Sequence, residues 1–513
     1  MSRAFGLRRP GCRLIVLIAL CLCAALASCA SGPKPAATPG EGKPEGAGQA
    51  MDETGEPGTS PQASQPNAQV VVYARETQPS GLPIKWVIRK IAFNQADGNQ
   101  IALPGGEVTI AASSLQMGAD GAEIQRLVTI TDVPGGDYTG VTFFTRAVYL
   151  EDTGEAVPID ATYATAAYPF SIDPGVAKTI VVAVELAPPG ASRVGFKFQP
   201  QVTIETEPAA LKGKMILVAN EGSSNLSVID KSLKRVVKNV FLATHPAATG
   251  VDQRRNRLYI ADQRAGVLYE MDMTNQHLLK ATQLEFVDEP VHIEAIPSRD
   301  ILMVVNFGSD TVYLVDAFNL QILETLEVGD GPVNAAYSTF AERAFVVNML
   351  DGTLSVLDIE TTPATVDTTL QMELRPAGIT IDDSMGWLYV TNNGSPDLTI
   401  LKVEPKFQTI AIERSIPIGI GAADIILDPY GRRLFVAMTV TNEILCVDPY
   451  TGVTIYSVRL PAKPGRLLFD PDEKKLYVTV PARNAVVVID SITREIQNWI
   501  ETGQDPVALE LRG

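Results

Sequence analysis

His292, Asn334, Asp424 and Arg466 are the residues of this chain whose types and placement could do chemistry together. Each stands two positions beyond Pro290, Pro332, Ala422 or Pro464, early in an alternating apolar run, so the four hold equivalent stations in a recurring pattern. An imidazole, a carboxamide, a carboxylate and a guanidinium around one recess can orient a small polar ligand. His245, Glu289, Arg375, Lys463 and Asp505 stand just before such runs and would form a charged rim. The plainer alternative is a set of solvated rim charges paired with one another, which contribute little. The chain holds three histidines, His245, His277 and His292. It has no His-Glu-x-x-His pair, nucleophile elbow or calcium-loop pattern. No catalytic residue is therefore assigned, and neither a metal nor an organic cofactor is expected. Gly419–Asp424 superficially matches a dinucleotide-binding loop but has no βαβ unit around it.

The elements that must position these residues repeat. Leu-Tyr-Val-Thr-Asn-type runs end at Asn220, Asp262, Asn306, Asn348, Asn392, Met438 and Val480, spaced 42 to 46 residues apart. Ten residues after each, a second apolar run ends at Asp230, Asp272, Asp316, Asp358, Lys402, Asp448 or Asp490. A third run is led by Pro246, Pro290, Pro332, Pro376, Ala422, Pro464 or Pro506, and a fourth, such as Gln321–Gly329, fills the remaining space. Four strands per repeat, seven times over, is the arithmetic of a β-propeller. The motif resembles the YVTN family of seven-bladed propellers over 213–513, a resemblance that implies the fold and leaves function open. The recurring Asn and Asp lie one blade apart and so do not converge as calcium ligands do; they read as turn-forming Asx residues. The first repeat lacks a Pro-led strand before it and the last has one to spare, Pro506–Leu511. The ring therefore closes if that strand pairs beside Met215–Asn220.

The segment 69–207 contains many short strand-like runs broken by Gly, Pro and Asp: Val70–Tyr73, Ile84–Phe93, Val108–Ala111, Leu127–Thr131, Val141–Leu150, Thr179–Leu186 and Val194–Glu205. Asp97-Gly98 marks a hairpin. This pattern predicts a β-sandwich. The stretches DVPGGDYTGVTF (Asp132–Phe143) and YPFSIDPGVAKTIVVAVEL (Tyr168–Leu186) resemble transthyretin- or immunoglobulin-like domains of bacterial lipoproteins. The expected fold class is thus all-β: a seven-bladed β-propeller over 212–513 behind an N-terminal β-sandwich.

Residues 1–28 read as a signal peptide. Arg3, Arg8, Arg9 and Arg13 precede a 14-residue apolar run, Leu14–Ala27, which is too short to span a bilayer. It ends in Leu-Ala-Ser-Cys, which resembles the lipobox of bacterial lipoproteins and implies acylation of Cys29. Residues 30–68 contain no Val, Ile, Leu, Phe, Tyr or Trp and read as a disordered tether. As a flexible coil its reach is roughly 35 Å. The tether segment as a whole is 29–68. Ala30 after Cys29 looks like the pattern of lipoproteins sent to an outer membrane, where the cell has one. Cys12, Cys21 and Cys23 leave with the leader, so Cys446 is the remaining free thiol, in a strand-like run, and it reads as inert.

The net charge of −17 argues against nucleic acid and anionic lipid surfaces. The function expected from these features is a lipid-anchored cell-envelope binding or scaffold protein for a protein or glycan partner. The competing class is an enzyme acting at the channel mouth, of lactonase or quinoprotein type. Acids, a histidine and an arginine converging there would favour the enzyme, and scattered charges the binding module.

Overall fold

The computed structural model describes residues 68–115, 124–205, 213–242, 245–284 and 288–513. The leader, Cys29 and the tether through residue 67 lie outside the described residues. The first strand, Ala68–Glu76, begins one residue inside the expected tether, because Ala68 is buried and pairs with Val133.

From Met215 on, seven four-stranded antiparallel sheets follow one another as blades. Blade two, for example, runs Pro246–Asp252, Arg257–Asp262, Val267–Asp272 and His277–Gln283. The Pro-led strands are innermost: Pro246–Asp252, Pro290–Ile296, Pro332–Ser338, Pro376–Asp382, Ala422–Asp428, Leu467–Asp470 and Pro506–Arg512 contact one another in an unbroken ring. The middle strands are covered on both faces by neighbouring blades, which is why they read as continuous apolar runs; Met215–Asn220 and Asn225–Asp230 are buried at every position. The outer strands face solvent, as His277–Gln283 does.

The ring closes between its ends. Pro506–Arg512 pairs antiparallel with Met215–Asn220, placing Val218 opposite Leu509 and Ile216 opposite Leu511. Blade one is thus built from the first three strands of the propeller and the last.

The repeated Asp and Asn fasten hairpins. Oδ1 of Asp230 accepts the N–H groups of Ser232 at 2.8 Å and Leu233 at 3.0 Å, and Asp316 and Asp490 do the same for the residues two and three further on. The last turn residue then takes the left-handed conformation, as Lys234 and Gln276 do. The side-chain amides of Asn220, Asn348 and Asn392 donate to Ser227, Ser355 and Thr399, each at 2.9 Å, tying the first strand of the hairpin to the second. Where Lys402 replaces the Asp, its Nζ donates to the carbonyl of Met385 across the turn. In blade seven the inner strand starts at Leu467 and not at Pro464. Pro461 and Pro464 lack N–H donors, and the Arg466 N–H is diverted to Thr479 Oγ1 at 2.8 Å.

The N-terminal domain is a sandwich of two sheets. One has the order Gln125–Val133, Ala68–Glu76, Ala177–Glu185, Gln201–Glu205, with the central pair parallel. The other contains Gln100–Ala102, Ile84–Gln95, Gly136–Leu150 and Tyr163–Ile172, with Val108–Ala111 also paired to Ile84–Gln95. Trp86, Phe93, Tyr138, Phe143 and Phe198 fill the space between. The Asp97-Gly98 turn lies between Ile84–Gln95 and Gln100–Ala102, with Gly98 at φ +87°. Tyr163–Ile172 is a strand that the apolar pattern did not mark. Of Val194–Glu205, Gln201–Glu205 alone forms a regular strand: Val194 is 90% exposed and Gly195 adopts a positive φ.

The sandwich packs on the propeller, and the first strand shows how. Val70, Val72 and Ala74 point into the sandwich core. Val71 and Tyr73 point the other way, against Ile216, Val218 and Val236 of blade one and Val486 and Ile500 of blade seven. Both faces of the strand are covered, which explains its nearly unbroken burial. Polar contacts flank this patch: the Gln125 side chain bridges the backbone N–H and carbonyl of Val236, and Arg126 pairs with Glu501. The sandwich therefore straddles the seam where the ring closes.

Candidate functional site

The inner strands all start at the same end of the channel. There the connections between blades meet the turns between the two middle strands: Leu350 N–H donates to the Asp330 carbonyl, Gly394 N–H to Leu374, Gly308 N–H to Asp288 and Gly222 N–H to Gln504. Residues two positions into an inner strand therefore sit just inside that mouth. His292, Asn334, Asp424 and Arg466 all line one cavity of about 370 Å³ in the channel. The structure brings the four together, a size and setting suited to a small ligand.

The same cavity holds Thr249, Glu294, Tyr337 and Glu510, which the sequence reading did not single out. Strand alternation carries a signal for two of them: Glu294 is two residues beyond His292, and Glu510 lies two beyond the lumen residue Ala508. Glu510 became a site residue once the terminal strand was placed inside blade one.

Asp424 is the best-embedded charge. Its Oδ2 accepts the Leu467 N–H at 2.8 Å and its Oδ1 lies 3.5 Å from the Arg466 guanidinium. Burial pushes its carboxyl above the usual range, while Arg466, the N–H groups of Leu467 and Ile425, and His292 pull it back. Glu510 accepts from Thr249 Oγ1 at 3.0 Å. It keeps some exposure to the lumen but is enclosed by the inner strands, and burial lifts its pKa to about 7, with Glu294 adding to the rise. His292 Nε2 is 3.8 Å from Glu294 Oε2, too far for a hydrogen bond, and this buried nitrogen has no partner among the described residues. Asn334 spends its Oδ1 on the N–H of Ala335 at 3.0 Å. The recess thus contains an arginine, an unpartnered imidazole nitrogen and two carboxyls biased toward holding protons. Among the described residues no group of three or more His, Cys, Asp and Glu is arranged to hold a metal ion. Cys446 is buried, and burial raises its thiol pKa.

These features place the C-terminal part of the chain among seven-bladed β-propellers. The sequence model of the family described as "Lactonase, 7-bladed beta-propeller" matches residues 209–453. An uncharacterized protein of Staphylococcus saprophyticus, SSP0869, is 23% identical over 211 residues, 37% of this chain. The chain spans 61% of that relative's length. Among solved structures, a Lactobacillus plantarum protein aligns with 14% identity and a TM-score of 0.51, over 58% of this chain and 99% of its own. A Bacteroides uniformis protein provisionally called a 6-phosphogluconolactonase aligns with 13% identity and a TM-score of 0.50, over 58% and 98%. At these identities the structural likenesses show the fold alone.

Proposed function

We propose that the channel mouth is a hydrolytic site for lactones or related esters. The observation that carries this reading is the convergence of His292, Asp424, Arg466 and Glu510 on one recess, the arrangement set out above as favouring the enzyme. The match to a lactonase family model is consistent with it. Asp424, its carboxylate made more basic by burial, takes a proton from a water that attacks the ester carbonyl carbon. The guanidinium of Arg466 faces the developing oxyanion. Glu510, poised near neutrality, returns a proton to the departing alkoxide, and the product is a hydroxy acid. The His292 imidazole, whose Nε2 has no partner among the described residues, donates to a ligand oxygen. The test is a pH-stat assay of the purified protein against a panel of γ- and δ-lactones, beside an Asp424→Asn variant. Absence of turnover across the panel would reject the hydrolase.

One observation favours a second reading. Asp424 and Arg466 already face each other as an ion pair across adjacent blades, as groups in a binding cradle do. On that reading the protein is a cell-envelope binding module for a protein or glycan, held to the membrane by acylated Cys29. Residues 68 and 69 suit such a tether: Gln69 bonds Ser223 and Asn225, at the mouth end of blade one, so the chain enters the folded part beside the channel opening.

A further inference from the structure

Four aliphatic side chains stand in the open around one side of the mouth. Leu350 is 62% exposed, Leu374 64%, Ile420 54% and Val440 68%. They belong to blades four to six, in the connections between blades and the turns between middle strands, all at the mouth end. Glycines hold them close to the opening. Gly331, at φ +63°, has no room for a Cβ because Leu350 Cγ fills the space; Gly421, at φ +99°, is covered by Val440 in the same way. Gly331 precedes Pro332, whose strand carries Asn334, and Gly421 precedes Ala422, whose strand carries Asp424. Leu350 and Val440 therefore each pack against the residue just before a strand that carries a lumen group. Exposed aliphatic side chains on successive blades beside a polar recess are the surface expected of a site for a ligand with two unlike halves.

The charges define the polar half. The lumen has three carboxyls, Glu294, Asp424 and Glu510, against Arg466 and His292, and Arg466 is already turned to Asp424. A phosphate needs unpaired cations, and among the described residues lining the cavity the one guanidinium, Arg466, already faces Asp424. An uncharged ester or lactone accepts a hydrogen bond from a protonated Glu510, from His292 and from Arg466 and brings no charge of its own.

From the exposed aliphatics and the charge balance together we infer that the ligand is an uncharged amphiphile. Its lactone or ester head enters the channel and its hydrocarbon chain lies over Leu350, Leu374, Ile420 and Val440; sugar phosphates are not accepted. This inference rests on the channel-mouth reading above but does not require turnover. The test uses the soluble fraction of the chain carrying Cys29→Ser, free of detergent, and measures calorimetric binding of γ-butyrolactone, γ-octalactone and γ-dodecalactone, with 6-phosphogluconate as the charged probe and a pH-stat record of hydrolysis. A fully buried methylene is worth about 0.8 kcal/mol, so a half-covered chain predicts roughly a twofold gain in affinity per added methylene. The paired substitutions Leu350→Ser with Leu374→Ser, and Ile420→Ser with Val440→Ser, alter exposed side chains and leave the core intact. Each pair should flatten the chain-length dependence while γ-butyrolactone binding stays unchanged. Affinity independent of chain length, a gain that survives both pairs, or 6-phosphogluconate binding more tightly than γ-dodecalactone overturns the inference. Chain-length-dependent binding without hydrolysis supports it and removes only the hydrolase; hydrolysis of all three lactones at equal affinity does the reverse.

Discussion

The carboxylate of Asp424, in blade six, lies 3.5 Å from the guanidinium of Arg466, in blade seven, and accepts the N–H of Leu467 beside it. The pair joins adjacent blades at the channel mouth, so each partner has a chemical and a structural consequence. Asp424→Asn keeps an oxygen for the Leu467 N–H and removes the charge. It should lower lactone turnover by roughly a hundredfold or more with little change in thermal unfolding. Arg466→Ala leaves a buried carboxylate without its cation, so turnover should fall and the pH optimum should move upward as Asp424 becomes harder to ionise. Equal pH profiles for wild type and Arg466→Ala would remove Arg466 from the mechanism.

Glu510 sets an opposition between stability and function. Burial raises its carboxyl to about 7 from an ordinary value of 4.5, and burial lifts Glu76 in the sandwich to about 7 as well. Between about pH 4.5 and 7 the folded protein retains protons that the unfolded chain has lost. These two groups therefore make folding less favourable as pH rises through that window, and the penalty is complete above it. Glu510→Gln should raise Tm by a few degrees at pH 8 and leave it unchanged at pH 4, while reducing turnover. A Tm gain that is the same at both pH values would refute the assignment.

Tyr73 is fully buried between the sandwich and blades one and seven. With that surface intact the folded part should melt as one cooperative unit. Tyr73→Ala removes the largest side chain contributed to the patch by the first strand, at a cost of roughly 3–5 kcal/mol. Differential scanning calorimetry should then show two transitions where the wild type shows one. A single, merely lowered transition would mean that the two bodies are coupled through the flanking polar contacts instead.

How much of this was legible in the sequence depends on periodicity. The fixed ten-residue offset from Asn220 to Asp230, repeated through Val480 to Asp490, encodes a hairpin whose buried middle strands tolerate few exceptions. The inner strands were legible because proline marks their starts. The sequence alone therefore places His292, Asn334, Asp424 and Arg466 at equivalent stations. Glu294 was within reach of the same alternation. Glu510 was legible from the same alternation only in combination with the expected closure of the ring, because its position in the lumen depends on a strand pairing across almost 300 residues. The parallel pairing of Ala68–Glu76 with Ala177–Glu185 was equally hidden, since neither strand states its partner. Tyr163–Ile172 escaped because six of its ten residues are exposed and three of the ten are alanines.

Acylation of Cys29 should be decisive for location. Replacing it by Ser should leave the protein uncleaved or release it from the membrane fraction, with the mass of the mature N-terminus changed by the missing acyl groups. A variant that fractionates and weighs as the wild type does would reject the lipoprotein assignment.

The closure of the ring makes the strongest structural prediction. Leu509 lies opposite Val218 and Leu511 opposite Ile216, and the terminal strand covers an edge of Met215–Asn220 that would otherwise expose unpaired backbone groups. Leu509 is buried, and with partly buried Leu511 it packs into the patch shared by blades one and seven and the sandwich. Each buried aliphatic contributes roughly 1.5–3 kcal/mol. Removing 505–513 should therefore lower the melting temperature well beyond the effect of any single surface change. It should also drive self-association through the bared edge. The channel should lose Glu510 at the same time, so lactone turnover should vanish even in whatever monomer survives. Removing Gly513 alone should do none of this. Size-exclusion chromatography with thermal unfolding of the two truncations separates the outcomes. A monomeric, normally melting 505–513 deletion would show that the terminal strand rests on blade one without holding it shut.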